Sequence, residues 1–233
     1  MALTGESALH AAIQDPIDAL EQLANHAIVK PLTGDEWPRL QLVADLPKAE
    51  YGSADWYAET LGVGLGRTAD FLALGAGLDA IGVTSTVASW AGTQFASPIT
   101  SALAESAART GLAAGVFGFW LVPADSTRPD FWRQRVVDGA GWALGGAAGG
   151  IIGENASSWL GSTAAESSAG TARSLANRGL AAVARGTSGN MVKTGTYALL
   201  AGERTTARIL SERMIRGVTK SLITAGTASL QPE

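Results

Sequence analysis

The sequence predicts an all-α fold: a helical bundle or hairpin assembly of glycine-rich, closely packed helices. Three observations predict it. Apolar residues recur at steps of three and four, the spacing of one helix face. Strand patterns are sparse. Glycine supplies 29 of 233 residues while charged residues are only 16%, against roughly 25% in an ordinary soluble domain. The length suits one domain or two small ones with a real core.

The elements follow in order. Residues 5–28 read as helix broken once, with Asp15 as N-cap and Pro16 as first helical residue. Ile17, Leu20, Leu23, Ala24 and Ile28 then share one face. Residues 1–30 are thus an N-terminal region of amphipathic helices. Pro31, Pro38 and Pro47 rule out a long helix beyond it, so 31–52 reads as a linker, with LQLVA (40–44) as a short extended run. Ser53 is the expected N-cap of a long helix reaching about Gly82. Residues 83–96 fit strand or helix. Ser97-Pro98 opens the next helix, which stops at Pro123, and Pro129 opens another to about Leu160. Residues 53–160 form a glycine-rich apolar core containing the hairpin 98–160. A loop at 161–172 and helices at 173–185 and 203–222 make up a basic C-terminal region, 161–233.

Charge is asymmetric. Residues 1–60 carry three bases and ten acids, a net of −7, and residues 165–233 carry nine bases and four acids, a net of +5. Head and tail either attract each other, within or between molecules, or remain two solvated faces. The opening MALTGESALH has no basic or apolar signal region, so no secretory leader is expected.

Gly141, Gly145, Gly149 and Gly153 recur every four residues in GWALGGAAGGIIG. On a helix they line one face and let another backbone approach closely. Each costs the helix roughly 0.5–1 kcal/mol relative to alanine, so a compensating contact is expected from a partner helix or a membrane. The pattern resembles a glycine zipper, frequent in membrane and pore-forming proteins. Gly111 with Gly115, and Gly62 with Gly66, repeat it. Length limits the membrane reading. The uncharged runs 110–124 and 139–153 each have 15 residues, about 22 Å of helix against a hydrocarbon core of about 30 Å. The 25-residue gap between Asp79 and Glu105 is longer but rich in Ser, Thr and Gly and contains Pro98.

Aromatic side chains flank the hairpin turn: Phe117, Phe119 and Trp120 before it, Phe131 and Trp132 after. Trp120, Trp132, Trp142 and Trp159 are candidate membrane-interface residues, because tryptophan has an apolar body and a polar handle. Arg128, Arg133 and Arg135 are placed to meet lipid phosphates. The competing reading is a mini-core clamping a soluble hairpin. In the membrane case Leu112, Val116, Trp120, Trp142, Leu144 and Ile151 face outward; in the soluble case they are buried. Arg204, Arg208, Arg216 and Lys220 fall on one helical stripe and are expected to form an exposed basic surface, suited to anionic lipid or to solvent.

Little points to chemistry. Cysteine is absent, which excludes a disulfide scaffold, a zinc ribbon and a thiol nucleophile, and two histidines leave little for a metal site. Gly75-x-Gly77-x-x-Ala80 superficially matches a dinucleotide fingerprint, but no β–α alternation surrounds it, so these read as helix-packing glycines. No phosphate loop or nucleophile elbow occurs. His10 and His26 read as surface helix residues, and Asp70 and Asp79 as capping, surface or Arg67-pairing groups. No enzyme activity, catalytic residue, cofactor, metal or nucleic-acid partner is expected.

The phrases QDPIDALEQLANHAI and YGSADWYAETLGVGLG resemble segments of large bacterial proteins with glycine-rich apolar helices downstream. The resemblance covers about the first third of the chain and implies no activity. The leading expectation is a non-enzymatic, membrane-associated helical protein that forms homo-oligomers or a larger assembly through glycine-faced helices, in translocation, pore formation or anchoring. The alternative is a cytoplasmic structural subunit that packs through the same helices.

Overall fold

The structure, a computed structural model, describes residues 2–47, 49–124, 130–164, 183–184, 186–196, 198–199, 212–217 and 219. About 82% of the described chain is helical and none of it is strand. The all-α fold expected from the sequence is therefore present, and the ambiguous stretch 83–96 is largely helix.

The chain begins with a helical rod that keeps helical backbone angles to Thr33. It comprises α1 (Ala2–Leu9), a π-helical turn (His10–Gln14), α2 (Asp15–Ala24), a second π-helical turn (Asn25–Val29) and α3 (Lys30–Thr33). The break expected at Asp15 is absent: Asp15 has helical angles and caps nothing. Pro16 sits within a rod whose preceding turn is already π-helical, so its missing N–H interrupts no regular ladder. The wider turns also rotate the buried face. Ala11, Gln14, Ala19, Leu23 and Val29 are buried, whereas Leu20 and Ile28 are exposed. Ile28 lies in the second π-helical turn, which shifts the phase of a constant 3.6-residue period, whereas Leu20 lies within the regular α2, whose buried edge runs through Ala19 and Leu23.

Gly34, at φ +81°, ends the rod. Residues 34–47 then run back along it and are no free linker. Gln14 supplies what a neighbouring strand would: its Oε1 accepts from the Leu42 and Val43 N–H groups at 2.8 and 3.0 Å, and its Nε2 donates to the Leu40 carbonyl at 2.9 Å. Glu21 accepts from the Leu40 N–H at 2.9 Å. LQLVA is non-helical and bends at Leu42 and Val43, in a strap stitched by side chains.

Ser53 caps α4 (Ala54–Ala80) as predicted, its Oγ accepting from the Trp56 N–H at 3.1 Å. Gly82, at φ +74°, turns the chain by 74° into α5 (Val83–Gly92). Then α6 (Pro98–Trp120) and α7 (Phe131–Ala164) form the expected antiparallel hairpin, the most extensive helix pair among the described elements. Helical stretches 186–196 and 212–217 complete the described chain. Most of the expected helices 173–185 and 203–222 lies outside the described residues.

The core is built of small residues. Ser7, Ala11, Thr60, Thr68, Ala88 and Ala114 are fully or almost fully buried. Larger side chains inside are few, chiefly Trp56, Phe117 and Phe131. Close backbone approach replaces side-chain bulk.

Candidate membrane and helix-packing surface

Glycine faces set the helix spacing. Between α6 and α7 the register runs from Gly118 beside Trp142, through Gly115 and Gly111 beside Ala143, to Gly150 beside Ser106. The helices are close enough for hydroxyls to bridge them: Thr110 Oγ1 donates to the Gly146 carbonyl at 2.7 Å and Ser106 Oγ to the Gly150 carbonyl at 3.1 Å. The zipper glycines face elsewhere. Gly141 and Gly145 lie against Lys193, Gly145 also meets Gly189, and Gly149 lies beside Gly189. Thus α7 carries two glycine faces. One, Gly139, Gly146 and Gly150, serves α6; the other, Gly141, Gly145 and Gly149, serves 186–196. Gly153 belongs to α7, but its surroundings lie outside the described residues.

The same device recurs on α4. Gly62 and Gly66 meet Thr4, Ser7, Ala8 and Ala11 of the N-terminal rod, while Gly64 meets Arg216 and Thr219. Gly75 and Gly77 are different. Among the described residues a Cβ at either would meet nothing within 4 Å, so these contacts do not bear out their reading as packing glycines.

Several side chains at the helix ends that flank the hairpin turn are covered. Phe117 and Phe131 are buried, His26 stacks on Phe131 at 3.8 Å, and Arg135 is only 1% exposed. The Arg135 guanidinium donates to the carbonyls of Phe119, Val122 and Ala19 and to Gln22 Oε1. It thereby closes the open C-terminal end of α6 against α2. Burial pushes its pKa down to about 10, so it stays charged at neutral pH. Gln22 adds a two-way clasp, accepting from the Ala124 N–H at 2.8 Å and donating to the Ala124 carbonyl at 3.2 Å. Arg135 is thus committed to carbonyls inside the fold and cannot meet lipid phosphate there. Arg133 is exposed and pairs with Asp130; Arg128 lies outside the described residues.

The tryptophans divide. Trp120 and Trp132 are exposed. Trp142 is half-buried: its ring packs edge-on to Phe117 at 4.8 Å and lies under the Lys193 ammonium at 3.7 Å. The Trp159 side chain lies outside the described residues. Of the other hairpin residues expected outward, Leu144 and Ile151 are exposed, while Leu112 and Val116 are half-buried.

The basic stripe is corrected at its one described position. Arg216 is largely covered, pairs with Glu212 at 3.4 Å and backs onto Gly64 of α4. Burial pushes its pKa down to about 10. Its neighbours are structural too: Glu212 accepts from Trp56 Nε1 at 3.3 Å, and Arg213 pairs with Asp138 at 2.9 Å. Arg204, Arg208 and Lys220 lie outside the described residues.

One polar cluster was not anticipated. His10 lies 3.4 Å from Asp15 and 3.5 Å from Asp45; Arg39 pairs with Asp18 at 2.6 Å and Asp45 at 2.9 Å; Arg67 pairs with Asp15 at 2.9 Å. The Asp15 bond raises the His10 pKa above its ordinary value despite partial burial. Burial pushes Asp15 up, but Arg67 and His10 outweigh it and hold the carboxyl below the usual range. Sequence reading missed the cluster because Asp45 and Arg39 reach it only through the fold-back of the strap. Its partners are structural charges, and no group of side chains fit to hold a metal occurs among the described residues.

The surface also retains large apolar side chains. Trp132, Val136, Leu144 and Ile151 are exposed along one side of α7, a stripe about 28 Å long at 1.5 Å per residue. Among the described residues exposed large apolar side chains outnumber buried ones. No single described helix is long and apolar enough to cross a membrane; α4 and α5 together pass as a bent pair. Comparison with protein-family models, with curated proteins and with solved structures finds no match.

Proposed function

We propose that the protein is a non-enzymatic, membrane-associated helical protein that serves an anchoring, pore-forming or translocation role. The observation that supports this reading is the apolar stripe of α7, Trp132 to Ile151, left outside a core of small residues. A contiguous exposed apolar surface is a liability in water, whereas lipid accepts it without cost. Glycine faces make this arrangement possible: they bring backbones together and leave the large side chains on the outside.

The described glycine faces are occupied by helices of the same chain. Self-association is therefore assigned to the apolar exterior, with a second copy competing with lipid for the α7 stripe. The experiment is flotation of the full chain with phosphatidylcholine vesicles, alongside its solubility and mass in detergent-free buffer. Co-flotation and detergent-dependent solubility are expected. A protein that stays in the aqueous fraction as a soluble oligomer would instead establish the assembly-subunit reading.

A further inference from the structure

The start of α6, at the end opposite the hairpin turn, belongs to the longest charge-free run of the sequence. No charged residue occurs between Asp79 and Glu105. This segment comprises the last residue of α4, all of α5 and the start of α6. It sits at the N-terminal end of α6, whereas Arg135 and α2 close the other end.

The segment is arranged inside out. On α5 the buried positions are Thr84, Ala88 and Gly92, spaced by four; Thr84 donates to Asp79 of α4 and Gly92 lies against Glu105 of α6. The large apolar residues point away: Ile81 is 72% exposed, Trp90 66% and Ile99 73%, with Val83 and Phe95 also exposed. A helix in water places its apolar stripe inward.

Most of its side-chain hydroxyls, though not those of Ser89 and Ser97, donate within the segment or to its flanking carboxylates. Ser85 and Thr86 donate to the Gly82 carbonyl, and Thr93 and Gln94 to the Trp90 carbonyl. Thr100 donates to the Ser97 carbonyl, Ser101 to Glu105 and Thr84 to Asp79. Groups that enter hydrocarbon must be satisfied in this way, since lipid tails supply no partner. A docked protein would gain specificity from free donors and charges around a rim, and this surface offers few.

From these placements we infer that the α4–α5–α6 tip, residues 80–104, is the part of the molecule that enters the bilayer, with Asp79 and Glu105 at the water boundary. The 74° turn at Gly82 supplies the geometry. With α4 upright, α5 lies nearly in the membrane plane, its Trp90 side toward the acyl chains. The inference rests on the membrane reading above and moves the point of insertion away from the α6–α7 turn.

The chain has no cysteine, so single labels are clean. An environment-sensitive fluorophore at Phe95→Cys is compared with one at Val136→Cys on the α7 stripe and one at Thr33→Cys on the rod, with and without phosphatidylcholine vesicles. The tip label is expected to shift blue and to be quenched by nitroxide lipid but not by aqueous iodide; the rod label is expected to stay in water. Trp90→Glu combined with Ile99→Glu should cut vesicle binding at least about tenfold, and both sites are open enough to leave the fold intact. Binding should be insensitive to salt and anionic lipid, because no charge carries it. If vesicles bind and only the α7 label enters the lipid, the tip assignment is wrong and the membrane reading stands. If no vesicles bind, both fail. A tip label shielded by rising protein concentration without lipid would make a second copy the occupant and overturn the lipid assignment.

Discussion

At the level of single residues, glycine has two opposite roles in this chain, separated by what a methyl group would meet. At Gly146 a Cβ would lie 2.5 Å from the Thr110 carbonyl and 2.7 Å from the Ala114 Cβ. Backbone cannot give way there, so Gly146→Ala should destabilise by about 1–3 kcal/mol, the usual cost of overpacking. At Gly75 and Gly77 nothing lies within 4 Å and the backbone is helical. Alanine there should stabilise by about 0.5–1 kcal/mol, by narrowing the unfolded ensemble. Chemical denaturation of the three variants checks both signs. Spacing already separates these glycines in part: Gly62 and Gly66 are four apart and share a helix face, whereas Gly75 and Gly77 are two apart and do not. The second face of α7, with Gly139, Gly146 and Gly150, was hidden. It does not follow the every-fourth-residue rhythm that made Gly141, Gly145 and Gly149 conspicuous.

At the level of elements, the strap 34–47 is held by titratable groups, and its attachment should depend on pH. His10 has its folded pKa raised above 6.5 by Asp15. Its contribution is complete below 6.5 and is lost as pH rises through the folded value. Asp15 and Asp45 have lowered pKa values, the latter through its bond to Arg39. Their contributions are present above about 3.8 and are lost as pH falls through the lowered values. Asp70 adds to the alkaline loss: burial first, then the Asp15 charge, raise it to about 6 against the pull of Arg67. It therefore opposes folding as it ionises between about 4 and 6. Wild type should lose stability from pH 5 to pH 8. His10→Gln should remove part of that slope, and Asp70→Asn should melt higher than wild type above pH 6, by at most about 1 kcal/mol in a partly solvated site. Thermal melts across this range decide it; parallel profiles for all three proteins would show that the cluster does not control the strap. Ser53, Pro98 and the hairpin were legible because caps, prolines and apolar runs act locally. The strap was not, because its hydrogen bonds come from Gln14 and Glu21, far away in sequence.

At the level of the whole molecule, the described helices close a circuit. α4 packs on α6 through Phe71 and Phe117, α6 on α7 through their glycines, and α7 on 186–196 through Gly145 and Gly189. Asn190 then donates to the Met214 carbonyl, and Gly64 returns the 212–219 segment to α4. Arg213 and Asp138 cross the circuit as a mostly buried ion pair at 2.9 Å. Charge composition could not reveal it, since a net basic tail and acidic head suggested pairing with the N-terminal residues, whereas Asp138 belongs to the middle of the chain. Removing the Asp138 carboxylate takes a charged partner from the mostly covered Arg213, so Asp138→Leu should destabilise the fold by at most about 3 kcal/mol. Adding Arg213→Leu should recover much of that loss, because the desolvation penalty disappears with the second charge. The circuit makes a further demand. α4 touches 212–219 through Trp56–Glu212 and Gly64, so loosening Asp138 should speed amide exchange in 60–68 of α4 as well as in 186–196. Hydrogen exchange on Asp138→Leu measures this directly. Acceleration confined to α7 would mean that the helices are stacked neighbours and that the circuit does not open as one cooperative unit.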